Sequence, residues 1–202
     1  YLTMRVTRTA GVRRLVSVAV AALTACGSPL RQAELSVESA QARLGATLYA
    51  PASSTPLPAV LLLHGSGPDG RDNAYYRDLA DAFGRRGIAT LVYDKRGSGA
   101  STGDWRSEPF SALVDDAQAV LRSLRQHAWV DSTRVGIWGG SEGATIAPLV
   151  AARDDGVVFL IVQSMSGVPF GEQYVYQAAR EFRGMPADSA DAVALVRAKL
   201  AY

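Results

Sequence analysis

The chain has 202 residues and one cysteine, Cys26, so no intramolecular disulfide can form within it. Its 21 Lys and Arg against 19 Asp and Glu give a formal net charge of +2, yet four of the arginines fall within the first 25 residues, where there is no acid. From residue 26 onward 17 basic residues face 19 acidic ones, which argues against a nucleic-acid partner and against polybasic adsorption to a membrane.

Arg5, Arg8, Arg13 and Arg14 precede an apolar stretch at 15–23 that is too short to span a membrane and suits the apolar region of a secretory signal. It runs into Leu23-Thr24-Ala25-Cys26-Gly27, which resembles the bacterial lipobox, whose cysteine is lipidated and becomes the mature N-terminus. Residues 1–25 are therefore expected to be a lipoprotein signal peptide, Cys26 the lipid-attachment site, and residues 26–41 a tether. Multiple acyl chains, at about 0.8 kcal/mol per buried CH₂, then suffice to hold the protein on the bacterial cell envelope.

Residues 42–50 alternate enough to form an edge hairpin strand, and the Pro/Ser/Thr-rich residues 51–58 form a turn. Residues 58–63 are apolar at almost every position, as in a strand buried on both faces of a parallel sheet, and lead into His64-Gly65-Ser66-Gly67-Pro68. Tyr76, Leu79, Ala80 and Phe83 recur at helical spacing, so 74–86 is expected as a helix stopped by Gly87. A second buried strand spans 88–94, and Asp94-Lys95-Arg96-Gly97-Ser98-Gly99 follows it. This run lacks the order of a phosphate-binding loop and reads as a strand-end turn in which Asp94 and Arg96 pair. Leu113, Ala117, Val120, Leu121 and Leu124 mark a helix near 108–127, residues 134–138 a strand, and 157–162 a fourth buried strand. Helical stretches are expected at 171–184 and 188–201, the second capped by Asp188. Strands joined by helical crossovers give an α/β fold with a mostly parallel sheet flanked by helices. The carboxyl ends of its strands, where ligands bind such sheets, carry His64-Gly65, Asp94 to Gly97, Ser141 and Ser164.

The most informative segment is Gly139-Gly140-Ser141-Glu142-Gly143, set between the strand at 134–138 and a helix-compatible stretch at 144–152. A G-x-S-x-G at a strand-to-helix junction is a nucleophile elbow. The turn is tight enough to demand small residues two before and two after the serine, and Gly139 and Gly143 meet that demand. The elbow lifts the serine hydroxyl above the sheet and aims the next helix N-terminus at the site, where its dipole favours developing negative charge.

Four segments together resemble the α/β-hydrolases, in particular the bacterial esterase and serine-aminopeptidase-like group related to prolyl-oligopeptidase-like and dienelactone-hydrolase-like enzymes. They are Leu63-His64-Gly65-Ser66-Gly67-Pro68, Leu91-Val92-Tyr93-Asp94-Lys95-Arg96-Gly97-Ser98-Gly99, Val135-Gly136-Ile137-Trp138-Gly139-Gly140-Ser141-Glu142-Gly143 and Leu160-Ile161-Val162-Gln163-Ser164. The resemblance covers roughly residues 40–170 and implies a serine acyl hydrolase acting on a small ester or a short peptide, with no metal or other cofactor. Ser141 is then the nucleophile, and the backbone N–H groups of Ser66 and Glu142 form the oxyanion hole, with the glycines beside Ser66 as the fallback. His64 is expected to shape the oxyanion loop by hydrogen bonding, and the Glu142 side chain to be exposed and structural rather than a substrate contact.

Such a serine needs a base, usually a histidine oriented by a carboxylate. The chain has two histidines, and His127 falls at the end of the helix before the elbow strand, on the wrong side of the sheet. The family order is serine, acid, histidine, and no histidine follows Ser141. The expectation is a C-terminally incomplete α/β-hydrolase: residues 42–170 form the N-terminal part of the domain, and 171–202 the start of a helical cap or of ordinary outer helices. A non-catalytic lipoprotein that uses the scaffold for binding is the rival reading, although its elbow glycines should then have been lost.

Overall fold

The computed structural model describes residues 29–40, 42–169, 171–173, 175, 176 and 194. Nine elements alternate along the chain: β1 (Arg31–Ser39), β2 (Ala42–Ala50), β3 (Leu57–Leu63), α1 (Ala74–Gly84), β4 (Ala89–Tyr93), α2 (Phe110–Gln126), β5 (Val130–Gly140), α3 (Glu142–Ala151) and β6 (Val157–Gln163). They build one six-stranded sheet in the order β1-β2-β4-β3-β5-β6. The two β1 and β2 pairings, with each other and with β4, are antiparallel, and the rest of the sheet is parallel.

The two-residue period of the strands sorts their side chains onto two cores. Ala59, Leu61 and Leu63 of β3, Leu91 of β4 and Ile137 of β5 point to one face. There they are packed by α2 through Leu113, Val120, Leu121 and Leu124 and by α3 through Ile146 and Val150. Val60, Leu62, Val92 and Trp138 point to the other face and meet Tyr76, Leu79 and Phe83 of α1. β3, β4 and the second half of β5 are mainly apolar because both faces are covered there. Asn73 caps α1 by accepting the Tyr75 N–H at 3.0 Å.

Three expectations are corrected. Residues 31–39 are a strand rather than part of a tether: Ala33, Leu35 and Val37 alternate with exposed Gln32, Glu34, Ser36 and Glu38, and the whole length pairs with β2. β2 is consequently internal, with β1 taking the edge. The strand at 157–163 is not buried. Among the described residues it has β5 on one side only, and Val158, Leu160, Ile161 and Val162 are exposed. Of the expected C-terminal helices, residues 171–173, 175, 176 and 194 are helical. The rest of those stretches, with Asp188, the signal segment and Cys26, lies outside the described residues.

Candidate active site

Ser141 stands between the last residue of β5 and the first of α3, exposed, with φ +53° and ψ −112°. A serine in the left-handed half of the map carries strain of about 1–3 kcal/mol, which persists only where packing dictates it. The packing is visible at both flanking glycines. A Cβ at Gly139 would overlap the Gly143 carbonyl, and one at Gly143 would overlap the Leu63 carbonyl and sit 2.7 Å from that of His64. The helix N-terminus is thus pressed against the end of β3 with no room for a side chain. The Ser141 N–H donates to the Gln163 carbonyl at 2.9 Å, tying the turn to the end of β6.

The loop after β3 closes over the serine. A Cβ at Gly65 would lie 3.7 Å from that of Ser141, so the Gly65 main chain borders the space above the hydroxyl. Its N–H is already used, donating to the Tyr76 hydroxyl at 3.3 Å, while that hydroxyl donates to Asp69 Oδ2 at 3.0 Å. The Gly65 N–H is thereby engaged, and Ser66, the next residue of the loop, is exposed. Burial first, then the Asp69 carboxylate, pushes the Tyr76 hydroxyl well above its usual range, so it remains a neutral bridge.

Two expected side-chain roles are corrected, and that of His64 is made more specific. The His64 ring is buried and packs edge-on against Tyr76 and Tyr93, with centroids 5.0 and 4.7 Å away, and neither nitrogen meets a side-chain hydrogen-bond partner. It shapes the loop by filling space and through a hydrogen bond to the Tyr93 main chain. Burial lowers its pKa to about 4, the Asp69 charge opposing and the Lys95 charge reinforcing that effect, so the imidazole is neutral at physiological pH. Asp94 and Arg96 do not pair. Asp94 accepts from the Arg71 N–H and Nε at 2.8 and 3.0 Å and from the Ala100 N–H at 2.9 Å, whereas Arg96 grips Asp116 of α2 through two bonds of 2.7 Å. Burial alone would raise the Asp94 carboxyl, but the Arg71 and Ala100 hydrogen bonds outweigh it and hold the group below its usual range. Glu142 is buried rather than exposed, and its carboxylate accepts from Lys95 Nζ at 2.6 Å.

Two further features escaped the sequence. The Tyr75 hydroxyl donates to Gln163 Oε1 at 2.8 Å, so the start of α1 is tied to the same residue of β6 that accepts the Ser141 N–H. Lys95 reaches from the end of β4 to both the Gly65 carbonyl and Glu142. Neither of the chain's two histidines is hydrogen-bonded to Ser141. His64 lies buried beneath the loop, and His127, whose Nδ1 accepts the Trp129 N–H at 3.2 Å, sits at the opposite end of β5, on the order of 30 Å away along that strand. Among the described residues no group of His, Cys, Asp or Glu is arranged to hold a metal ion.

Strand order, crossover helices and the strained serine turn together narrow the ancestry. A sequence profile of the X-Pro dipeptidyl-peptidase (S15) family matches residues 41–195. The chain belongs to that family. This S15-family chain is also similar to esterases. Esterase EstD of Thermotoga maritima is 33% identical over 117 residues, covering 54% of the chain and 28% of the relative. Esterase FrsA of Escherichia coli is 34% identical over 122 residues, covering 60% and 28% respectively. The solved structure of a Pyrococcus furiosus esterase superposes with a TM-score of 0.64 at 16% identity, over 86% of the chain and 63% of that structure. That likeness shows the fold, which is the α/β-hydrolase fold. The chain spans well under half the length of the curated relatives it matches, 28% of EstD and of FrsA.

Proposed function

We propose that the protein is a serine acyl hydrolase of the carboxylesterase type. Ser141 Oγ attacks the ester carbonyl, and the N–H groups of Ser66 and Glu142 receive the oxyanion. The observation that carries this reading is the strained backbone of Ser141, an exposed serine held at φ +53° by two glycines that have no room for a side chain. The similarity to EstD and FrsA supports an ester substrate. The reading requires a general base from elsewhere in the full-length protein, since neither His64 nor His127 meets Ser141.

The S15 match favours a second reading on the same site, a peptidase that cleaves after an X-Pro dipeptide. The two separate on substrate. The full-length protein is expected to turn over p-nitrophenyl butyrate with a higher kcat/KM than Ala-Pro-p-nitroanilide; the reverse preference would move the assignment to the peptidase. We further propose that Cys26 carries lipid and anchors the protein to the bacterial cell envelope. Labelled palmitate should enter the protein expressed in bacteria and be lost in Cys26→Ser; incorporation unaffected by that change would remove the anchor.

A further inference from the structure

Lys95 is a buried cation with no place in the hydrolytic chemistry, and it joins the loop after β3 to the first residue of α3. Its side chain is 3% exposed, its ammonium donates to the Gly65 carbonyl at 2.5 Å and to Glu142 Oε2 at 2.6 Å, and the Trp105 ring lies 5.7 Å away. The Lys95 N–H also donates to the Asp69 carbonyl at 3.0 Å, so the residue is fastened to both ends of the loop from Gly65 to Asp69.

The Gly65 carbonyl and the Ser66 N–H belong to one planar peptide unit, and none of the described peptides is cis. In a trans peptide these two groups point in opposite directions. A cation bonded to the carbonyl therefore fixes the plane, holds the Ser66 N–H turned away from Lys95, and polarises the amide so that this N–H becomes a stronger donor. The Tyr76 hydroxyl on the Gly65 N–H holds the preceding peptide as well, which leaves the loop little freedom to rotate. The other arm of Lys95 grips the carboxylate of Glu142, the residue whose own N–H is the second donor.

We infer that Lys95, bridging the Gly65 carbonyl and the Glu142 carboxylate, is a positioning residue that presets the orientation and spacing of the two oxyanion donors, Ser66 N–H and Glu142 N–H. This rests on the reading of Ser141 as nucleophile. Lys95 touches no reacting atom; it acts through the peptide it holds. Preset donors need no rearrangement as charge develops on the substrate oxygen, so losing Lys95 costs transition-state binding rather than substrate binding.

The test uses the full-length protein, p-nitrophenyl butyrate and a trifluoromethyl ketone inhibitor, which binds serine hydrolases as an oxyanion adduct. Lys95→Met is expected to lower kcat about tenfold to a hundredfold, less than the full loss of a donor, with KM changed by less than about threefold. Inhibitor affinity should fall by the same factor as kcat. Because Lys95→Met leaves a buried carboxylate without its cation, Lys95→Met/Glu142→Met serves as the variant that removes both charges, and it should show the same parallel losses. A purely structural Lys95 would lower thermal stability and the fraction of active protein while leaving kcat per titrated site and inhibitor affinity intact. That result, in either folded variant, overturns the inference. Ser141→Ala separates the layers: if it retains activity, the nucleophile and the inference fall together. If it is inactive while the Lys95 variants keep full kcat, only the role of Lys95 is lost.

Discussion

Ser141→Ala in the full-length protein is expected to reduce kcat for p-nitrophenyl butyrate on the order of 10⁶-fold, with KM little changed. Covalent catalysis disappears with the hydroxyl, and what remains is the smaller acceleration available from oxyanion donors and binding. The folded protein should survive, because alanine accepts the same backbone strain as serine and the turn's contacts are made by the main chain: Ser141 N–H to Gln163 and Ala144 N–H to the Ser141 carbonyl, at 2.9 and 3.0 Å. An unchanged melting temperature beside a lost activity is the combined result to look for. Activity within about tenfold of the wild type would take Ser141 out of the mechanism. A full-length wild-type protein that hydrolyses neither ester nor anilide and accepts no fluorophosphonate on Ser141 would instead favour the non-catalytic binding scaffold.

Most of the fold is legible because α1 and α2 carry a helical period, as at Leu113, Ala117, Val120 and Leu124, while β3 and β4 are short apolar runs bounded by turn residues. β1 was overlooked although Ala33, Leu35 and Val37 alternate cleanly, because the polar residues between them look like linker and the only half-buried face is thin. An apolar run such as β6 reports that a strand is suited to burial, and neighbours decide whether it is buried; among the described residues β6 has β5 alone. The site divides along the same line. The G-x-S-x-G spacing is a local steric pattern, so the lack of room for a side chain at Gly139 and Gly143 is legible directly. Ion pairs are not local. Asp94 and Arg96, two apart, turn to different neighbours because the chain leaves the strand at Tyr93, and Arg96 finds its carboxylate 20 residues on at Asp116. Lys95 and Glu142 are 47 residues apart and meet only because the β4 and β5 ends flank the β3 loop.

Gly143→Ala is expected to cost about 3 kcal/mol of stability, the upper part of the usual range for overpacking. The added methyl would enter the space of the Leu63 carbonyl and lie 2.7 Å from the His64 carbonyl, and both are main-chain atoms at the end of the central strand. Flexible side chains yield to such an intrusion by changing rotamer, whereas a strand held by hydrogen bonds on both edges does not. The conflict is relieved only if the start of α3 moves off the sheet. That motion also displaces Ser141 and the Glu142 N–H, because all three share the first turn of the helix. Stability and activity should therefore fall together, with a melting temperature lower by about 6–12 °C for a chain of this size and kcat reduced at least about a hundredfold. Gly167→Ala is the matched control. A Cβ there meets nothing within 4 Å, and the change should stay within about 0.5 kcal/mol of the wild type. Should Gly143→Ala instead melt with the wild type and keep its kcat, the close approach of α3 to β3 would not be what holds the serine in its strained turn, and the steric account of the elbow would have to be abandoned.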